Sequence, residues 1–79
     1  MERNEILAKL QEIFREELDK DNLVINEQSS AQNVDGWDSL SHIQLISAIE
    51  DEFDLSFTSK EIMSWKNVGE MVDSIQKYQ

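Results

Sequence analysis

The chain contains no cysteine and no proline, and only two of its 79 residues are glycine. Without thiols it cannot form a disulfide, an iron–sulfur cluster or a cysteine-based zinc site, and it has no thiolate nucleophile. Because there is also only one histidine, we predict no bound metal. The scarcity of chain-breaking residues favours helices over a turn-rich architecture.

The chain is short, and none of its apolar runs approaches the roughly 18 residues that a membrane span needs. Its 79 residues suffice for one domain, predicted over 1–79, without room for a deep enzyme cavity beside the core. The start, MERNEILAKL, has neither the apolar segment nor the small-residue cleavage site of a secretory signal. We therefore expect a cytoplasmic protein that does not enter membranes.

Positive charge is scarce, because 7 Lys and Arg stand against 17 Asp and Glu, a net charge of −10. Phosphate backbones and anionic membrane surfaces repel such a chain, which argues against nucleic acid and lipid as partners. Protein partners with basic patches are favoured instead, with fast and salt-sensitive association. The chain itself is expected to be a monomer.

Apolar residues recur at helical spacing in most of the chain. The first helix is predicted from about Asn4 to Leu18, and a polar loop from Asp19 to Asp38 follows it. Further helices are predicted over Ser39 to Phe53, over Ser59 to Ser64 and after Asn67. The predicted fold is therefore all-α, a small bundle of three longer helices and one short one.

The predicted loop is long for a connection without structure of its own. Either the loop is functional or its apolar residues dock on the core, and the candidates for docking are Leu23, Val24, Ile25, Val34 and Trp37. The acidic start of the loop invites comparison with a calcium-binding EF-hand. That comparison fails, because Leu23, Val24 and Ser30 stand where a ligand, the turn glycine and the bidentate glutamate are needed.

The second predicted helix has two apolar faces when its residues are placed at about 100° intervals. The face predicted to join the core carries His42, Leu45, Ile46, Ile49 and Phe53. The other face carries Leu40, Ile43 and Ser47 beside Ser39 and Glu50, with Asp51 at its edge. An exposed apolar spot ringed with acidic residues is typical of a docking surface. The alternative is that the long loop buries Leu40 and Ile43.

Ser39 stands directly after Asp38, a good N-cap for the second helix. It is either an ordinary serine at a helix start or a hydroxyl where a phosphodiester would be stabilised by the positive helix end. His42, one turn later, is the only base that a serine hydrolase could use. Because no Gly-x-Ser-x-Gly elbow surrounds Ser39, we interpret His42 as a packing residue and predict no catalytic residue.

The segment GWDSLSHIQLISAIEDEFDL, from Gly36 to Leu55, resembles the acyl carrier protein family. The family's Asp-Ser-Leu motif stands here as Asp38-Ser39-Leu40, and an acidic run ending in phenylalanine stands at Glu50-Asp51-Glu52-Phe53. The similarity continues through the segments 57–62 and 67–69, so that it covers nearly the whole chain.

This resemblance implies a function. Ser39 would carry 4'-phosphopantetheine through a phosphodiester made by a separate phosphopantetheinyl transferase. The thiol of that arm would hold acyl groups as thioesters in fatty acid, polyketide or related biosynthesis, so the chain would be a carrier and not an enzyme. Acyl-loading, elongating and acyl-transferring enzymes with basic docking surfaces would be its other partners. The residues implied in recognition are Asp38, Leu40, Ile43, Ser47, Glu50 and Asp51.

Some residues depart from the pattern of carriers in fatty acid synthesis. Trp37 and Trp65 are bulky where smaller side chains are usual, and Thr58 replaces a common proline. The other departures are Gln44, Lys60 and Lys66, which make the second and third helices less acidic. Together they favour a discrete carrier of a specialised pathway. An unmodified acidic helical adaptor that binds other proteins is the alternative function.

Overall fold

A computed structural model describes residues 1–78, which form four helices and no strand. The helices are α1 (Arg3–Glu17), α2 (Ser39–Phe53), α3 (Ser59–Ser64) and α4 (Val68–Lys77). The all-α fold of three longer helices and one short one is confirmed, and only α1 is displaced, by one residue, from its predicted bounds. Gln79, the last residue of the predicted domain, lies outside the described residues. None of the helices within residues 1–78 is long and apolar enough to cross a membrane.

The core is formed where α1 lies against both α2 and α4. The predicted core face of α2 is confirmed for Leu45, Ile46 and Ile49, which are buried, whereas Phe53 is only half-buried at the edge. Apolar side chains that recur every three or four residues on the three longer helices thus meet in one layer. The side chains that are fully buried are Ile6, Leu10, Phe14, Leu45, Ile49, Val68, Met71, Val72 and Ile75.

The helix starts use the capping residues that the sequence offers. The Thr58 hydroxyl accepts a hydrogen bond from the Glu61 N–H, and the Glu61 carboxylate accepts one from the Thr58 N–H. The side-chain oxygen of Asn67 accepts from the Glu70 N–H at the start of α4. At the other end of α2, Asp54 adopts the left-handed conformation that ends many helices.

The loop between α1 and α2 is folded onto the bundle. Ile25, Val34 and Trp37 are buried and Leu23 is half-buried, as predicted. The prediction for Val24 is wrong, since its side chain is 73% exposed. Neighbouring residues of an extended segment point to opposite sides, so Val24 faces solvent when Leu23 and Ile25 face inward.

The same loop closes the start of α4. The carbonyl groups of Ser29 and Glu27 accept hydrogen bonds from the N–H groups of Val68 and Gly69, each at 2.8 Å. A Cβ atom on Gly69 would lie only 3.0 Å from the Glu27 carbonyl oxygen. Glycine therefore permits the close approach of the loop to α4.

Arg3 joins α1, the loop and α4 at this end of the bundle. Its guanidinium donates hydrogen bonds to the carboxylates of Glu27 and Asp73, to the amide oxygen of Gln76 and to the carbonyl oxygen of Gly69. The hydrogen bonds from Arg3 stabilise the ionised carboxylate, so they hold the pKa of Glu27 below its usual value.

Ile49 and Ile43 provide a matched test of this packing, because both lie on α2 but only Ile49 is fully buried. We expect Ile49→Ala to lower the free energy of unfolding by about 2–5 kcal/mol, since it leaves a cavity. Ile43→Ala should change it by no more than about 0.5 kcal/mol. Urea denaturation followed by circular dichroism measures both. Equal losses would show that Ile43 belongs to the core.

The lowered pKa of Glu27 predicts a loss of stability in acid. The folded protein binds fewer protons at this group than the unfolded chain, so stability rises with pH through this range. The contribution of Glu27 is complete above the ordinary value of 4.5 and disappears as the pH falls through the lower folded-state value. Glu27→Gln and Arg3→Gln should each flatten the fall in melting temperature between about pH 5 and pH 3. If the melting temperature of both variants fell with pH as steeply as that of the wild type, this account would be contradicted.

Candidate functional site at the start of α2

The candidate site is built on the cap of α2. The Asp38 carboxylate accepts hydrogen bonds from the N–H groups of Leu40 and Ser41, at 3.1 and 3.0 Å. The Ser41 hydroxyl accepts from the Asp38 N–H and donates to the carbonyl oxygen of Gly36, each at 2.8 Å. The hydrogen bonds that the carboxylate accepts, above all that from the Ser41 N–H, hold the pKa of Asp38 below its usual value. The carboxylate thus stays ionised at the helix start.

Ser39 is the first residue of α2, and its side chain is exposed. The hydroxyl of Ser41 is engaged in the hydrogen bonds of the cap, whereas the hydroxyl of Ser39 takes part in no hydrogen bond of residues 1–78. The hydroxyl of Ser39 can therefore be esterified without the loss of an internal contact.

A hydrogen bond between Trp37 and His42 organises the surface beside Ser39. Trp37 is buried edge-on against Phe14, and its indole N–H donates to Nδ1 of His42 at 3.0 Å. An indole N–H can only donate, so Nδ1 accepts and the neutral ring carries its proton on Nε2. Neither nitrogen then has a free lone pair to take a proton from Ser39. This geometry argues against a serine hydrolase and supports the packing role predicted for His42.

An open groove of about 630 Å³ lies beside Ser39. Trp65 forms part of its wall, where the ring lies edge-on to His42 and to Phe57, with ring centroids 6.2 and 4.8 Å apart. The Trp65 indole N–H donates to the Ser74 hydroxyl at 2.8 Å, which fixes this wall to α4. The other side chains that line the groove include Trp37, Ile43, Ile62, Met63 and Lys66.

Most of the residues predicted to recognise partners are exposed, but one of them is engaged in a hydrogen bond within the protein. Leu40 and Ile43 are 69% and 67% exposed, so the loop does not bury them. Ser47 and Asp51 are also exposed. Glu50 is half-buried instead, and its carboxylate accepts a hydrogen bond from the Phe57 N–H at 2.7 Å, which ties the segment after α2 to the helix.

The sequence analysis did not predict that α3 contributes side chains to the groove beside Ser39. Met63 is 85% exposed and lines the groove together with Ile62 and Lys66. A six-residue helix is too short to show an apolar stripe, so only the adjacent apolar residues Ile62 and Met63 could have drawn attention to it.

The start of α2 suits an attached phosphodiester arm. Ser39 offers a free hydroxyl near the partial positive charge of a long helix, and the groove beside it is open. Within residues 1–78, no three His, Asp or Glu side chains come together to hold a metal ion.

Comparison with known protein sequences points to the same segment. Residues 8–75, a span that includes Ser39, match the family model described as a phosphopantetheine attachment site. The chain is 36% identical to an acyl carrier protein of Streptococcus thermophilus over 72 residues, which cover 91% of this chain and 93% of that protein. It is 31% identical to an acyl carrier protein of Phenylobacterium zucineum over 74 residues, which cover 94% of each.

Solved structures share the fold. The chain superposes on the solution NMR structure of a holo acyl carrier protein from Geobacter metallireducens with a TM-score of 0.85 and 39% identity, covering 91% of this chain and 83% of that one. A crystal structure of an acyl carrier protein from Thermotoga maritima gives a TM-score of 0.84 with 34% identity, covering 98% of this chain and 89% of that one.

Proposed function

The chain belongs to the acyl carrier protein family, whose domain carries covalent 4'-phosphopantetheine, and we propose that Ser39 Oγ is the attachment atom. The observation that carries this proposal is the free, exposed hydroxyl at the first position of α2. Ser41, two residues on, is unsuitable because its hydroxyl is part of the cap. A separate phosphopantetheinyl transferase makes the phosphodiester.

Acyl carrier proteins are carriers rather than catalysts, and the residues of this chain are suited to that role. When bound, the arm supplies the thiol that holds an acyl group as a thioester, and the chain has no cysteine of its own that could compete. Ser39 anchors the arm to a rigid helix. The tether raises the effective concentration of the acyl group at the active site of a docked enzyme.

Acyl carrier proteins interact with phosphopantetheinyl transferases and biosynthetic enzymes, and we propose that these partners bind the exposed side of α2. Leu40 and Ile43 supply apolar area close to Ser39, and the small Ser47 leaves room for a partner to approach the helix. Asp51 supplies negative charge further along, which suits a basic patch. The residues proposed to contact partners are Asp38, Leu40, Ile43, Ser47, Glu50 and Asp51.

The pathway is proposed to be a specialised acyl pathway. Two tryptophans, Trp37 and Trp65, line the groove next to Ser39, and Lys66 adds a cation there. These residues depart from the pattern of carriers in fatty acid synthesis, and they line the same groove as the proposed attachment residue Ser39.

Modification in vitro tests the attachment. Coenzyme A and a broad-specificity phosphopantetheinyl transferase should add one phosphopantetheinyl mass to the wild type and none to Ser39→Ala, as measured by intact-mass spectrometry. Ser59→Ala is the matched control, because Ser59 is also the exposed first residue of a helix, and it should be modified like the wild type. An unmodified wild type beside a modified control carrier would sink the proposal and favour the adaptor function.

Transferase kinetics test the docking surface. Ile43→Ala removes exposed apolar area and should cost about 1–2 kcal/mol of transition-state binding, which lowers kcat/KM for modification about 5- to 30-fold. Asp51→Asn should slow association and weaken its dependence on salt. Asp21→Asn makes the same charge change in the loop, outside α2, and should have little effect. Unchanged kinetics in both α2 variants would place docking elsewhere.

A further inference from the structure

Esterification of Ser39 places a phosphodiester anion among negative charges. The helix that starts with Ser39 contains no Lys or Arg. Asp38 precedes Ser39 directly, and its ionised carboxylate already accepts two hydrogen bonds from N–H groups at the start of the helix. A full positive charge that balances the phosphodiester must therefore come from outside α2.

Lys66 is the only cationic residue among the described residues that line the groove beside Ser39. Its side chain is exposed, and no carboxylate of residues 1–78 lies within 4 Å of its ammonium group. Five of the seven basic side chains are paired with carboxylates of the chain itself: Arg3, Lys9, Arg15, Lys20 and Lys77. The remaining one, Lys60, does not line the groove.

The rest of the groove matches the chemistry of a pantetheine chain, which has a gem-dimethyl group, two amides and a thiol. Trp65, Ile62 and Met63 provide apolar surface for the methyl groups. His42 also lines the groove, and its Nε2–H is the donor that the Trp37 hydrogen bond leaves available for an amide oxygen. A volume of about 630 Å³ lies within the range of roughly 300–1,000 Å³ typical of small-molecule sites.

We propose that Lys66 is the counter-ion of the phosphodiester on Ser39, and that the groove lined by His42, Met63 and Trp65 holds the pantetheine chain against the protein between encounters. The inference rests on the proposed attachment at Ser39. Charge complementarity and the presence of Ser39 in the groove lining identify the occupant as the chain's own arm. Salt weakens such an exposed ion pair, so release of the arm becomes easier as ionic strength rises.

The test uses holo protein whose mass increment has been verified. Nuclear Overhauser spectra should show cross-peaks between the gem-dimethyl protons of the arm and the Trp65 ring in the wild type. Lys66→Gln should lose them, and its arm thiol should react several-fold faster with N-ethylmaleimide, an uncharged reagent. Lys60→Gln makes the same charge change outside the groove, so it should keep the cross-peaks and the wild-type rate.

Each failure has its own signature. With the mass increment present, missing cross-peaks in the wild type or equal thiol reactivity in all three proteins would overturn this inference and leave the attachment intact. Equal effects of Lys66→Gln and Lys60→Gln would also overturn it, because they would report net charge alone. If the increment itself is missing, the attachment at Ser39 and this inference both fall.

Discussion

The Asp38 carboxylate accepts hydrogen bonds from two N–H groups at the start of α2, and the Ser41 hydroxyl binds back to the Asp38 N–H. This reciprocal cap fixes the first turn of the helix. It engages the Asp38 carboxylate and the Ser41 hydroxyl in hydrogen bonds. The one hydroxyl left over is that of Ser39, which projects from the bundle. The cap also places an anion, the Asp38 carboxylate, at the positive end of the helix where we propose that the phosphodiester is attached.

The surroundings of that hydroxyl depend on a chain of aromatic contacts. It runs from Phe14 in the core through Trp37 and His42 to Trp65. The six residues of α3 are too few to form a stable helix alone. Contacts outside the helix therefore hold α3 in place: Trp65 binds Ser74 after its end, the Tyr78 hydroxyl donates to Glu61, and Ile62 packs against the core.

The two sides of α2 have separate roles. Ile49 and Leu45 bind the helix to the core, while Leu40 and Ile43 are left to solvent. Glu50 is half-buried and serves the structure, because its carboxylate accepts a hydrogen bond from the Phe57 N–H and so holds the segment before α3. At the acidic end of the helix, Glu50 is thus engaged by the Phe57 N–H and Glu52 by Lys9, whereas Asp51 is exposed and pairs with no basic side chain of residues 1–78.

Local signals in the sequence determined the helices, their caps and the position of Ser39. Capping by Asp38 or Thr58 involves residues three positions apart, and the core faces follow from helical spacing, so neither depends on the rest of the fold. Only the tertiary structure decided that Trp37 donates to His42, that Glu50 supports Phe57 and that Lys66 lines the groove beside Ser39. Such contacts depend on how the loop, α2 and α3 turn toward one another, and no periodicity within a single segment encodes that arrangement.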